Sequence, residues 1–288
     1  MWFRTAGRRL LASLGLLVLA GFGAATLLRF APGQSADELL LDARLSEDSR
    51  ESILRQRAAE TDVVGYYATF LRRVLEGDLG FSRSLNRPVR ELLAERLPVT
   101  LVSVVEGLVG GWGLALFLTL PAAMFRRPLL DAAGAVAGGV FLCLPSALLA
   151  LLVFLLGGPP GAAIALVVFP KVHRFMSNLL SSAAGSPHVI TARAKGLSVS
   201  RIFFRHTLPA IGPQALSLAG VSVSLALAAA IPMEVICGSA GVGQLAWLAA
   251  TGRDLPVLIA VTMLIAAVTL AVNALSDLAA FGWKVQPS

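Results

Sequence analysis

Residues 256–278 read PVLIAVTMLIAAVTLAVNALSDL, and this stretch decides the fold class. Its single ionisable residue, Asp277, comes near the end. A bilayer core of about 30 Å needs about 20 mostly apolar residues in helical conformation. Five further stretches meet that requirement: Leu10–Leu28, Leu101–Pro121, Ala132–Leu156, Gly161–Leu180 and Gln214–Cys237. Lys171 and Arg174 intrude near the end of the stretch that starts at Gly161. Unpaired backbone polar groups cannot face lipid, and the alternating segments of about ten residues that mark a barrel are missing. The sequence therefore predicts an all-α membrane protein with six transmembrane helices.

Composition agrees. The 288 residues are 56% hydrophobic and 14% charged, with mean hydropathy +0.77. Soluble chains run at about 45–50% apolar and about 25% charged. Disordered chains, disulfide-stapled mini-proteins and freely soluble enzymes are excluded on this ground. Net charge is +7 and the isoelectric point about 10.4, a balance that on a soluble protein points to nucleic acid. Here the basic residues stand in small clusters beside apolar runs, where they act as topology signals. No nucleic-acid partner is expected.

Those clusters set an orientation. With the N-terminus inside, the cytoplasmic pieces hold Arg4, Arg8 and Arg9, then Arg126 and Arg127. Next comes the run Lys171, Arg174, Arg193, Lys195, Arg201 and Arg205, and finally Lys284. Among the short outside pieces, Gly157–Pro160 has no charge and Gly238–Leu255 has one base, Arg253. Both termini are therefore expected in the cytoplasm. The first helix resembles a signal peptide in its flanking arginines but has no convincing small-residue cleavage site, so it is read as an uncleaved anchor.

Three regions follow: 1–29, the cytoplasmic N-terminus and first transmembrane helix; 30–100, an extracytoplasmic helical segment; and 101–288, a five-helix core. In the second region, Ala36–Glu60 reads as an amphipathic helix with Ser35 as N-cap and Glu38 completing a capping box. Val63–Leu75 continues in helical style, Gly77-Asp78-Leu79-Gly80 marks a turn, and Pro88–Leu97 forms a short helix before Pro98.

Catalytic chemistry is hard to find. The Gly-rich run Gly238–Gln244 lacks the lysine of a phosphate-binding loop. Ser239 has no histidine in a later span to serve as its base. Cys143 and Cys237 sit singly in apolar runs, and His173, His188 and His206 are too scattered for a zinc pair. No catalytic residue, metal or cofactor is expected.

Between the fourth and fifth spans lies ITARAKGLSVSRIFFRHTLPAI, Ile190–Ile211, inside a cytoplasmic segment 181–211. Thr191–Lys195 reads as a short helix ended by Gly196 in left-handed conformation. Ser198 caps a second helix from Val199, and Pro209 breaks it before the fifth span. Small Ala192 and Ala194 let another surface approach, while Arg193 and Lys195 hold the piece at the cytoplasmic face. On these residues alone, a basic interfacial helix is equally consistent.

This stretch resembles the EAA loop of binding-protein-dependent ABC importer permeases, with Gly196, His206, Leu208 and Pro209 on the places of that family's pattern. Further resemblance is to the dipeptide/oligopeptide/nickel branch. It runs through Ala31-Pro32-Gly33, Gly77–Gly80, Arg87-Pro88-Val89, Glu95–Pro98, Leu144-Pro145-Ser146, Met233–Ile236, Gly241-Val242-Gly243, Arg253–Pro256 and Asn273 to Asp277. Departures are Ile190 where many members are acidic, Thr191 at the first Ala place and His206 at an apolar one. The connection Gly157–Gly161 is also shorter than the branch usually shows.

The resemblance implies a type I ABC importer permease fold, without its own nucleotide-binding site. It would form half of a pathway for peptides or similar small solutes in a bacterial or archaeal plasma membrane. Implied partners are a second homologous permease subunit, two cytoplasmic ABC ATPase subunits and an extracytoplasmic solute-binding protein. Coupling to the ATPases is expected at Ala192, Arg193, Ala194, Lys195, Gly196, His206, Leu208 and Pro209. Gate or pathway candidates are Glu106 and Glu234, because ionisable groups within spans are functional candidates by default; Pro145, whose kink suits a pore that opens but is equally consistent with static shape; and Gly238, Gly241 and Gly243, in the stretch expected to fold back as an external gate. Alternatives from other classes are a passive channel and, further off, a membrane-embedded enzyme.

Overall fold

The computed structural model describes residues 2–30 and 63–285; the helix expected over Ala36–Glu60, its Ser35 cap and Ala31-Pro32-Gly33 lie outside them. Helices α1 (Trp2–Phe30) and α2 (Val63–Leu75) precede a two-stranded antiparallel hairpin, β1 (Phe81–Ser82) and β2 (Arg87–Pro88). Then come α3 (Val89–Phe125), α4 (Pro128–Cys143), α5 (Ser146–Leu155), α6 (Pro160–Ala184), α7 (Pro187–Ala194) and α8 (Val199–Ile202). A π-helical turn, Phe203–Thr207, leads into α9 (Leu208–Ile236), followed by α10 (Val242–Thr251) and α11 (Leu255–Val285). Among the described residues, five spans are long and apolar enough to cross a membrane: Leu11–Leu28, Val89–Phe125, Pro160–Ala184, Val199–Ile236 and Leu255–Gly282. The bent pair α4 and α5 supplies a sixth.

The chain divides into two compact units, Met1–Glu95 with Leu245–Ala266, and Arg96–Gln244 with Ala267–Ser288. In the first, α2 packs on α1: Tyr67 donates its hydroxyl to the Val18 carbonyl at 2.7 Å, and its ring meets Phe22 edge-on at 5.7 Å. Gly21 makes this possible, since a Cβ there would strike the Tyr67 hydroxyl and the Met263 side chain. The β-hairpin is tied to the start of α11 through Asp254, whose Oδ2 accepts from Ser82 Oγ at 2.7 Å, Ser84 N at 3.0 Å and Ser84 Oγ at 2.8 Å. Asp254 is buried. Burial by itself pushes its pKa up, but the bonds from Ser82, Ser84 and Val257 outweigh this and hold the carboxyl below the ordinary aspartate range.

In the second unit α6 is the central helix, with half of its apolar window buried. Its core residues Ile164, Val168, Phe169 and Val172 are inaccessible to solvent or nearly so. Two glycine pairs at i, i+4 receive it. Gly107 and Gly111 on α3 leave room for the side chains of Ile164 and Val168, and Gly134 and Gly138 on α4 for His173 and Pro170. Where lipid supplies no hydrophobic drive between helices, close backbone approach over small residues lets dispersion hold them together. Outward faces stay apolar: Phe117, Val109 and Leu275 are all exposed, as lipid-facing or partner-facing positions must be.

Three expectations change. Pro98 does not interrupt the chain, because α3 runs from Val89 through Pro98 as one helix. The third span is more than kinked at Pro145. Leu144 takes an extended conformation (φ −88°, ψ 131°), as a residue before proline tends to, and α4 and α5 diverge by 102°. The sixteen residues of α4 reach about 24 Å at 1.5 Å per residue, most of a hydrocarbon core. Finally, Pro209 does not break the helix before the fifth span. It sits in the first turn of α9, where its missing N–H costs least, and the π-helical turn just before it widens the helix so the chain passes through.

Candidate functional site

Two constellations gather the residues that the sequence singles out. At the C-terminal end of α9 the chain turns at Gly238, whose φ of +66° is left-handed and suits a residue without a Cβ. The Gly-rich stretch folds back onto Glu234. Glu234 is fully buried, and its Oε2 accepts from Gly243 N at 2.7 Å and Gln244 N at 3.2 Å. These are amides from the first turn of α10, where a helix leaves its N–H groups free and presents a partial positive charge. Its backbone carbonyl accepts from Ser239 N at 2.9 Å.

Glycines are required by contact as well as by turn geometry. A Cβ on Gly241 would fall on the Glu234 carboxylate, and one on Gly243 would come within 2.6 Å of the Ile231 Cα. On the other side of the hairpin, Thr100 Oγ1 accepts from Val242 N at 2.7 Å, and Arg96 donates to Gln244 Oε1 at 2.8 Å. The Gly-rich turn is thus pinned to α3 at its α10 end, through Val242 and Gln244. Neither Glu106 nor Pro145 belongs to this constellation.

The second constellation is the elbow between α6 and α9. Helix α7 ends in a Schellman motif: Gly196 N donates to the Arg193 carbonyl at 2.9 Å and Leu197 N to the Ala192 carbonyl at 3.3 Å. Gly196 has φ +72°, the left-handed conformation the motif demands. Val189, Ala192 and Ile202 form a small core of their own with Leu197 packed against it. Ala192 is therefore turned inward, against the expectation that it offers a docking face; Ala194, Arg193 and Lys195 are exposed. His206 and Leu208 are half-buried and Pro209 is exposed. Three exposed apolar side chains escaped the sequence reading: Ile190, Val199 and Phe204. Their signal is apolar residues on a segment that is otherwise basic.

Glu106 is exposed on α3, with its Cβ and Oε2 lying over Gly161 in the first turn of α6, where a Cβ would collide with them. His173 is buried, its ring 5.6 Å from that of Phe169, and its Nε2 faces Gly134 without a hydrogen-bond partner. One turn further along α6, Ser177 donates to Asp131 of α4 at 2.6 Å. A groove of about 570 Å³ runs between α3 and α9, lined by Leu108, Val109, Trp112, Leu208, Ala215 and Ser222 among others. Its polar feature is the Trp112 Nε1–H bond to Ser222 Oγ at 2.9 Å. Among the described residues no group of His, Cys, Asp or Glu is placed to hold a metal ion.

A helical bundle with outward apolar faces, an elbow between two spans and a re-entrant glycine hairpin define a polytopic membrane component of the transport type. The family model described as "Binding-protein-dependent transport system inner membrane component" matches residues 111–281, and the chain belongs to that family. Among its relatives, a putative peptide permease protein of Brucella suis biovar 1 is 27% identical over 94% of both chains. An oligopeptide transport system permease protein of Bacillus subtilis is 24% identical over 94% of this chain and 95% of its own. A dipeptide transport system permease protein of Lactococcus lactis is 23% identical over 93% and 95%. The protein is a multi-pass inner-membrane permease subunit of an ABC importer.

Proposed function

We propose that this permease forms one half of a translocation pathway for peptides or similar small solutes. It would pair with a second homologous permease, draw on two cytoplasmic ABC ATPases and receive cargo from an extracytoplasmic binding protein. The observation that carries the peptide reading is that the similarity to peptide permeases runs end to end, over 94% of both chains in the Brucella relative. In this reading both termini and the 181–211 segment face the cytoplasm, and residues 30–100 lie outside. Arg193, Ala194, Lys195, His206 and the exposed Ile190, Val199 and Phe204 then meet the ATPase surface. The inward-turned Ala192, with Gly196, Leu208 and Pro209, holds the elbow rigid enough to transmit its motion. Glu234, Gly238, Gly241 and Gly243 form the outer gate, and the break at Pro145 lets α4 and α5 move separately.

Co-purification with native partners, followed by uptake in proteoliposomes, tests this. An ATP-dependent uptake of a dipeptide, abolished when ATP is withheld, is the expected outcome. Flux that persists without any ATPase subunit contradicts it and favours a passive channel.

A further inference from the structure

Among the described residues three buried side-chain polar atoms have no hydrogen-bond partner, and two of them belong to the Gly-rich constellation: Arg96 Nε and Glu234 Oε1. One is a donor and the other an acceptor, and a buried group of either kind is costly to leave unpaired. Gln244 is bonded to both residues at once. Its side-chain Oε1 accepts from Arg96 Nη1 at 2.8 Å, and its backbone N donates to Glu234 Oε2 at 3.2 Å. The Arg96 guanidinium lies within electrostatic reach of the Glu234 carboxyl, and the Thr100 hydroxyl stands beside it. No hydrogen bond closes on Oε1 all the same. The seated turn thus joins two complementary groups through Gln244 and leaves each of them short of a partner.

Lifting the turn takes the amides of Gly243 and Gln244 away from Oε2 and the Gln244 side chain away from Arg96. Arg96 on α3 and Glu234 on α9 stay behind, and a guanidinium fork matches a carboxyl group with two parallel bonds. Resting on the gate reading above, we infer that Arg96 and Glu234 exchange partners as the gate works: both hold Gln244 while the turn is seated, and they bond to each other when it lifts. Arg96 is then a positioning residue of the lifted state, and Gln244 is the spacer that delays the pairing. The seated state keeps the bonds of the turn and strands two atoms; the lifted state gives up those bonds and satisfies the stranded atoms. These opposed terms keep the two states close in free energy, as a gate that moves both ways requires. A static clamp, in which Arg96 does no more than pin Gln244, responds to the loss of Arg96 with the opposite sign.

The test reads lifting at Val242, whose side chain is 2% exposed and whose N–H is bonded to Thr100. The assembled transporter in lipid nanodiscs carries Val242→Cys, with Cys143 and Cys237 replaced by serine. Mass spectrometry follows maleimide modification at that position, at rest and during turnover with ATP, the native binding protein and leucyl-leucine. Turnover is expected to speed modification. Arg96→Gln is expected to slow the turnover rate about tenfold, the equivalent of about 1.4 kcal/mol. Arg96→Lys, which keeps the charge and loses the fork, slows it too and serves the same sign test where Arg96→Gln does not assemble. Gln244→Leu keeps the backbone amide and removes the competing acceptor, so modification at rest is expected to rise about tenfold, the same 1.4 kcal/mol, and Arg96→Gln added to it to abolish the gain. Faster or unchanged modification in the Arg96 variants, or a Gln244→Leu gain that survives the loss of Arg96, makes Arg96 a static pin and overturns the inference. Equal rates at rest and in turnover without any Arg96 or Gln244 change overturn the gate reading itself, and the exchange falls with it.

Discussion

Gly241 and Glu234 show how a single methyl group can be excluded by a single carboxylate. One oxygen of the Glu234 carboxyl is satisfied by the backbone amides of Gly243 and Gln244, so anything that lifts the hairpin leaves a buried polar group without partners, at a cost of about 1–3 kcal/mol. Gly241→Ala is expected to cost about 1–3 kcal/mol and to lower uptake at least tenfold. Thermal unfolding of the purified protein alongside an uptake assay checks both, and wild-type behaviour in each contradicts the contact. Asp254 supplies a pH prediction. Its folded-state pKa lies below the ordinary value of 3.8, so its contribution is fully present above that value and is lost as pH falls through the depressed folded value. The stability difference between wild type and Asp254→Asn should be flat from about pH 7 to about pH 5 and shrink on further acidification. A difference that stays constant into the acid range rules out the Ser82 and Ser84 clamp as its source. The Asp254 contact could not be read from the chain: Asp254 and its serines lie 170 and 172 positions apart, and no local pattern records such a pairing.

At the scale of elements, the elbow was legible because its signals are local. A Gly after a short helical run specifies a Schellman end whatever the surroundings; Ser198 takes the N-cap position of the next helix but makes no side-chain capping bond. The inward turn of Ala192 was not legible, since it depends on Ile202 and Val189 meeting across the turn. The passage of α9 through Pro209 and the 102° divergence at Pro145 show the same limit. Proline removes a donor in both places, but whether a helix breaks or widens is set by what packs around it. Gly196→Pro separates the elbow from the rest of the molecule. Proline cannot adopt φ +72° and lacks the N–H that bonds Arg193, so the motif opens while the spans keep their apolar faces. The expected outcome is normal membrane insertion with uptake lost and ATP hydrolysis no longer stimulated by loaded binding protein. Wild-type uptake by this variant would sink the coupling role.

For the molecule as a whole, hydropathy carried the architecture because the bilayer is the dominant solvent and every span must satisfy its own backbone. Six apolar stretches became five long helices and a bent pair. The glycine pairs that seat α6 between α3 and α4 became meaningful only once their partners Ile164, Val168, Pro170 and His173 were placed. The orientation of the whole rests on the basic clusters, and the coupling account fails without it. The most direct test is cysteine accessibility at Ala194, which is exposed on the elbow, after Cys143 and Cys237 are replaced by serine. A membrane-impermeant maleimide should label Ala194→Cys in inside-out vesicles and not in intact cells, with protection when the ATPase subunits are bound. Labelling from the outside of intact cells would contradict the account.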